Sequence, residues 1–314
     1  MPYVYGPVRS RRLGLSLGVD PVPLKTCNLN CVYCQLGPTS LSKGVSPAYP
    51  PVSAVLHEIR KALTSGSTLD HVTVSGSGEP TLYPDLGPLI RGIKAMTSTP
   101  VAVMTNGTLL LSRDVREALC QADAVLPSLD AADNPTFNRI TRPPGGLDVR
   151  DVIAGLVVFR RQFCGQFWLE VLLIHGLNDT SEQLCRLKAA IDTIKPDRIH
   201  LNTVVRPPVS DWALPVPSDR MAAIASYFGP QCEVIADPPR KVQGVALGEM
   251  PELIIQAVKR RPMTMQDLTE LLGAMLAQVS PCVTRLLGAG VIQSRLYQGR
   301  RYYIFDSESE REVT

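Results

Sequence analysis

The chain has 314 residues, 45% of them hydrophobic, a mean hydropathy of +0.06 and a formal net charge of +3. That length can bury one full-sized core and still leave residues for a smaller second module, and so small a net charge identifies no polyanionic partner by itself. No apolar run approaches the ~20 residues of a membrane span. Prolines and arginines occupy the N-terminus where a secretory signal needs an apolar stretch, so a cytoplasmic protein with no membrane contact is expected.

Charge is more informative locally. Residues 1–45 carry Arg9, Arg11, Arg12, Lys25 and Lys43 against Asp20 alone, and 251–303 carry seven basic residues against three acidic ones. These two stretches suit a polyanion or an anionic substrate.

In chain order, β-branched runs at 15–25, 71–75, 100–105, 123–129, 168–174 and 198–204 alternate with amphipathic stretches near 51–65, 84–97, 112–121, 148–163, 180–194 and 218–228. Strands and helices alternating in this way specify a parallel sheet with crossover helices. Residues 168–174 (WLEVLLI) and 123–129 (DAVLPSL) are nearly continuous apolar runs, as strands covered on both faces are. The expected fold class is therefore α/β, a curved, partial (βα)6 barrel over residues 1–236. An open doubly wound sheet has the same local signals but would carry a glycine-rich phosphate loop after its first strand, where this chain carries cysteines.

Prolines and glycines at 237–250 mark a linker. Beyond it, 251–261, 264–272 and 274–288 have the character of short helices. The runs VIQSRLY and RRYYIF alternate about the turn Gln298-Gly299 as a hairpin does. Residues 251–305 thus have the pattern of a small winged helix-turn-helix domain. The acidic, polar stretch 306–314 has the composition of a disordered tail.

Of the eight cysteines, Cys27, Cys31 and Cys34 fall within eight positions on the loop after the first strand. Cys120, Cys164, Cys185, Cys232 and Cys282 are scattered singly through apolar segments, as buried thiols are. Three thiolates at spacings of four and three can wrap an iron–sulfur cube and leave one iron open to an exogenous ligand. A structural zinc would need a fourth ligand close by, and the nearest histidine, His57, lies 23 positions on in a helical stretch. The loop Ser75-Gly76-Ser77-Gly78-Glu79-Pro80 follows the second strand, its glycines permitting close backbone approach and its carboxylate supplying acceptor charge. Short polar residues end later strands: Thr105 and Asn106, then Ser128 and Asp130, then Asn202 and Thr203. Ligand contact and plain turn chemistry are both open to them. Glu170 interrupts an apolar strand, where it serves a ligand or satisfies a core arginine. Arg139, Arg142 and Arg206 lie on loops over the barrel mouth, and His57, His71, His175 and His200 show no metal spacing.

The Cys-x3-Cys-x2-Cys spacing, with Tyr33 before the last cysteine, resembles the signature of the radical S-adenosylmethionine (SAM) superfamily. Together with SGSGEPTL, SLDA, FNRITRP, GLND and LNTVVRPP, the N-terminal stretch resembles, over roughly residues 5–210, the branch of Fe–S oxidoreductases related to the wybutosine-pathway tRNA enzymes. The resemblance implies a barrel of the radical SAM type with a [4Fe-4S] cluster on Cys27, Cys31 and Cys34. Its open iron would chelate SAM, an electron would pass to the sulfonium, and a 5′-deoxyadenosyl radical would abstract hydrogen. It further implies Tyr33 near the adenine, with Gly78, Glu79, Thr105, Asn106, Ser128, Asp130 and Asn202 as SAM contacts, and an electron donor such as flavodoxin or ferredoxin. Ser77 stands where the family loop has its first glycine, and no second clustered cysteine motif is present.

The expected function is a radical SAM enzyme that modifies RNA or another macromolecule, tRNA included, with the winged helix as recognition arm. Two alternatives stand beside it: a cluster-dependent nucleic-acid-binding regulator, and a radical enzyme on a small molecule whose winged helix makes protein contacts. Arg295, Arg300 and Arg301 flank the hairpin turn, whereas 274–288 carries only Arg285. That distribution favours phosphate contact over base reading.

Overall fold

The computed structural model describes residues 2–39, 47–64, 68–235 and 250–305. The expected linker over 237–250 lies outside these residues apart from its last position, and the expected tail over 306–314 lies outside them entirely.

An antiparallel pair, β1 (Val4–Ser10) and β2 (Gly14–Val19), opens the chain. There follow α1 (Val52–Leu63), β3 (His71–Val74), α2 (Leu86–Lys94), β4 (Val101–Thr105), α3 (Arg113–Leu119) and β5 (Ala124–Pro127). Two consecutive helices, α4 (Asn134–Thr141) and α5 (Val149–Gln162), lead to β6 (Gln166–Leu173). The units α6 (Ser181–Ile194), β7 (Arg198–Thr203), α7 (Ser218–Phe228) and β8 (Cys232–Val234) complete one sheet in the order β1-β2-β3-β4-β5-β6-β7-β8, parallel from β2 onward. The six expected strands are all present. The first stops at Val19, because Pro21 and Pro23 have no N–H to donate. The edge strand β1, helix α4 and the short β8 are additions to the expected set. Pro7 and a bulge between Tyr5 and Val8 hide the alternation of β1, as is common on edge strands.

Side chains alternate across the sheet. Leu17, Val72, Val103, Val125, Phe167, Leu169 and Leu201 face the helices and form the main core. The opposite, concave face carries Ser16, Thr73, Ser75 and Met104 toward a cavity. Near the N-terminal ends of the strands a separate cluster of Leu13, Ala102, Ala124, Leu126 and Trp168 plugs this interior, so the open volume lies toward the C-terminal ends.

The C-terminal module comprises α8 (Met250–Arg260), β9 (Met263–Thr264), α9 (Met265–Leu272), α10 (Leu276–Gly288), β10 (Ile292–Tyr297) and β11 (Arg300–Phe305). Its sheet has the order β10-β11-β9, and it owns a core that includes Ile254, Leu268, Val279, Val283 and Ile292. A capping box starts α9: Thr264 accepts from the Asp267 N–H at 3.0 Å, and Asp267 accepts from the Thr264 N–H at 2.9 Å.

The module reaches both sides of the partial barrel. Arg260 donates to the Pro2 carbonyl at 3.0 Å and lies 4.4 Å from the Tyr5 ring centroid, beside β1. Tyr302 donates to the Val205 carbonyl at 3.0 Å, and Arg295 pairs with Asp211, both in the segment after β7. Among the described residues no single helix is long and apolar enough to cross a membrane.

Phe159 is fully buried and packs on Phe163 and Phe167, with ring centroids 5.0 and 5.9 Å away. Phe159→Ala should cost about 3–5 kcal/mol, whereas Leu296→Ala, at a side chain 71% exposed, should stay within about 0.5 kcal/mol. Denaturant titration of the two variants checks the contrast.

Candidate functional site

The loop that carries Cys27, Cys31 and Cys34 is tied to the fold on three sides. The Thr26 carbonyl accepts from the Glu79 N–H at 2.9 Å and the Lys25 N–H donates to the Ser77 carbonyl at 2.6 Å. Asn30 and Val32 donate to the Thr141 and Ile140 carbonyls at the end of α4, both at 2.9 Å. On the third side, the N–H groups of Val209 and Ser210 donate to the Cys34 and Val32 carbonyls at 3.1 and 3.0 Å. Gly78 is needed here because any Cβ at this position would collide with the Thr26 backbone.

All three cysteines are half-buried, and desolvation pushes each thiol upward; Cys27 is driven up to about 12, with Glu79 and Cys34 adding to the effect. Cys31 is raised well above the thiol range by burial first, then by Asp130, Cys34 and Cys27. Burial also raises Cys34, against backbone N–H groups and Lys25, which favour its thiolate. The three sulfurs therefore feel one another's charge. Among the described residues no three His, Cys, Asp or Glu side chains are arranged to hold a single metal ion. Cys27 Sγ accepts from the Leu29 N–H at 3.4 Å and from Asn106 Nδ2 at 3.7 Å. Three soft donors on one loop, one of them already receiving N–H bonds, fit an iron–sulfur cluster with one iron left open.

Cys27 opens onto a cavity of about 800 Å³ together with Tyr33, Gly78, Glu79, Thr105, Asn106, Ser128 and Asp130. The far wall belongs to the C-terminal module, through Arg260, Arg261, Met263 and Leu272. Asn202 is not part of the lining; its side-chain oxygen accepts from the Thr203 N–H at 3.0 Å.

The structure divides the candidates by what already holds them. Glu79 is 2% exposed, and its carboxylate accepts from the Thr81 N–H at 3.0 Å, the Thr81 hydroxyl at 2.6 Å, the Thr105 hydroxyl and the Asn106 N–H at 2.7 Å. Burial raises its pKa against those donors. Asn106 bonds Asn28 Oδ1 at 2.8 Å and receives Thr108. Asp130 accepts from the Tyr33 hydroxyl and from the Leu172 N–H at 2.8 Å. Ser128 differs, because its hydroxyl has no hydrogen-bond partner among the described residues and lies on the cavity wall.

Other expectations resolve in the same way. Glu170 pairs with Arg12 and with His200 Nδ1 at 3.1 Å, so it satisfies a core arginine. Arg139 lies over the Trp212 ring at 5.3 Å and Arg142 donates to Ser210 Oγ at 3.2 Å. Neither lines the cavity, whereas Arg206 does.

The sequence reading passed over Asp20. Ser77, in the place of the family glycine, gives Asp20 both its N–H at 3.0 Å and its hydroxyl at 2.6 Å. The available signal was that Asp20 is the one acidic residue within 1–45.

A parallel partial barrel with a three-thiol loop at its C-terminal mouth, opening on a cavity ringed by strand-end loops, defines an iron–sulfur enzyme class in which an open iron meets a second ligand. The chain belongs to the radical SAM superfamily, whose family model matches residues 22–187 and whose enzymes use a [4Fe-4S] cluster and SAM as cofactors. It is 38% identical over 207 residues to a UPF0026 protein of Synechocystis, covering 66% of this chain and 77% of that one. It is also 38% identical over 299 residues to a protein of Brachyspira hyodysenteriae named GTPase Obg, covering 94% of this chain. The chain spans 44% of that relative's length. Among solved structures, TYW1 with a lysine-pyruvate adduct bound is similar at a TM-score of 0.53 and 20% identity, over 68% of this chain and 72% of that one.

Two predictions follow from the hydrogen bonds. Ser77→Gly removes the hydroxyl on Asp20 and should cost about 1–3 kcal/mol in unfolding free energy. Burial pushes Asp130 up to about 6, so the folded state keeps this proton to higher pH than the unfolded chain, where an aspartate titrates near 3.9. The contribution of Asp130 to stability therefore falls as pH rises from about 4 to about 6 and is level above that. Melting temperatures of wild type and Asp130→Asn between pH 4 and 7 should diverge in slope across this window. Parallel curves would contradict the assignment.

Proposed function

We propose that the chain holds its [4Fe-4S] cluster on Cys27, Cys31 and Cys34 and modifies a group presented inside the cavity, with the C-terminal module, read as a winged helix, serving as the outer wall. The observation that carries this reading is the convergence on one cavity of the cysteine loop, the 75–80 loop and the 105–108 loop. When bound, the cluster would be held by Cys27, Cys31 and Cys34 and would supply the single electron for reductive cleavage of SAM to methionine and 5′-deoxyadenosine, the added hydrogen coming from a substrate. An external donor such as flavodoxin or ferredoxin supplies that electron.

The chain's own residues bind and position. Ser128 offers a hydroxyl to the cofactor. Glu79 and Asp130, with their oxygens engaged by protein donors, fix Thr105, Asn106 and Tyr33 around it. The C-terminal module and the inner apolar plug exclude bulk water from the reacting centre.

A cavity of about 800 Å³ has the size of a small-molecule site, so it takes SAM together with one nucleoside-sized or side-chain-sized group. RNA or another macromolecule would enter by presenting a single residue, with its body outside. The nucleic-acid regulator is less well supported, because α10 carries only Arg285 as a charged side chain and exposes Met275 and Leu276 at its start, a poor base-reading surface.

Anaerobic reconstitution should load about four irons and give a reduced-state EPR signal that changes when SAM is added. Cys27→Ala, Cys31→Ala and Cys34→Ala should each lose it, and Cys120→Ala should keep it. With strong reductant, SAM should yield 5′-deoxyadenosine and methionine slowly. Full iron content in Cys31→Ala would sink the proposal.

A further inference from the structure

We infer that Arg206 and Arg261 form a subsite for a phosphate group of the substrate, built half by the barrel and half by the C-terminal module. The inference rests on the radical SAM reading above for the chemistry that follows binding.

The cavity is lined by six arginines, Arg9, Arg11, Arg12, Arg206, Arg260 and Arg261, against two carboxylates, Glu79 and Asp130. Both carboxylates are turned onto protein donors. Two of the arginines have structural duties. Arg12 pairs with Glu170, and Arg260 stacks on Tyr5 while donating to the Pro2 and Gln256 carbonyls at 3.0 and 3.2 Å.

Arg206 and Arg261 are held differently. Arg206, in the segment after β7, is 8% exposed. Its ion-pair partner among the described residues is Asp267, at 3.9 Å. The other oxygen of Asp267 already accepts from the Thr264 N–H and hydroxyl, both at 2.9 Å. Arg261, directly after α8, donates Nε to the neutral thioether of Met263 at 3.2 Å. Burial and the neighbouring charge of Arg206 pull its guanidinium down to about 10, with Asp267 the carboxylate that opposes them.

Two like charges therefore share one distant carboxylate at the edge of a cavity. Buried guanidinium charge left without a counterion is unfavourable, and a pair of guanidinium forks matches the oxygens of a phosphate. A phosphomonoester, with close to two negative charges, neutralises both. Because one arginine comes from each part of the chain, the same anion would fasten the module over the cavity.

The test is equilibrium binding to the full chain, cluster loaded and without reductant, of inorganic phosphate, uridine 5′-monophosphate and a 5′-phosphorylated oligoribonucleotide. Each measurement is made both without SAM and in the presence of saturating SAM. Phosphate should bind and raise the melting temperature in a concentration-dependent way. Arg206→Gln and Arg261→Gln should each weaken binding by about tenfold or more, and Arg261→Lys by less. Exposed Arg113→Gln, on α3 and paired with Glu117, serves as the control and should bind as wild type does. Tighter binding of the mononucleotide than of the oligonucleotide identifies a free phosphometabolite as the source, and the reverse order identifies an RNA end. Unchanged affinity in a folded Arg206→Gln or Arg261→Gln protein overturns the inference. So does loss of phosphate binding at saturating SAM, since the pair would then serve the cofactor carboxylate. Binding needs no turnover, so a chain that binds phosphate without ever producing 5′-deoxyadenosine would sink the enzyme reading and leave the subsite standing.

Discussion

The buried carboxylate of Glu79 is the constraint on which the site depends. A carboxylate 2% exposed is unfavourable unless donors surround it, and its four donors come from two strand ends: Thr81 after β3, and Thr105 and Asn106 at the end of β4. Its own N–H reaches a third segment through the Thr26 carbonyl, immediately before Cys27. One side chain thus fixes the spacing between the cysteine loop and the next two strand ends. Asn106, positioned in turn, gives its amide to Cys27 Sγ and Asn28. A ligand need not touch Glu79 for the residue to be essential, because removing it would leave several buried donors without a partner.

The partial barrel leaves one side open, and the chain closes it with elements remote in sequence. Gly18 has no side chain because the Tyr5 ring packs where its Cβ would be. Tyr5 shares a hydrogen bond with Ser75 Oγ at 3.1 Å and carries Arg260 on its ring. The antiparallel strand β1 therefore serves as the seat of α8. On the other side the hairpin of β10 and β11 is seated through Tyr302 and Arg295. Arg295, which sequence placed among the phosphate-contacting residues of the wing, pairs with the exposed carboxylate of Asp211.

Local periodicity carried the strands and helices because each strand from β2 to β7 has apolar residues facing helices, a pattern that needs only near neighbours in sequence to be seen. The cysteine loop was legible for a related reason: its three thiols lie within eight positions. Tertiary partnerships were not. Asp20 and Ser77 lie 57 positions apart, Tyr5 and Arg260 meet only when α8 folds back on β1, and no local pattern announces either pair. Several polar residues at strand ends carried the right position but an ambiguous role. Ser128 and Asp130 both line the cavity, yet the hydroxyl has no partner among the described residues while the carboxylate accepts from Tyr33 and Leu172.

The three tethers of the cysteine loop bear on how a cluster would be taken up. In small zinc domains the ligands come together only with the metal, so that binding and folding are one process. Here backbone bonds to the 75–80 loop, to the end of α4 and to Val209–Ser210 fix the loop through contacts that involve no thiol side chain. Little conformational entropy then remains to be lost on loading. What opposes loading is electrostatic: burial and the neighbouring thiols, Glu79 and Asp130 hold Cys27 and Cys31 in their protonated forms. Positive charge on iron reverses that balance, with release of the thiol protons. If a cluster is taken up by this loop, its loading would release thiol protons and would be favoured as pH rises.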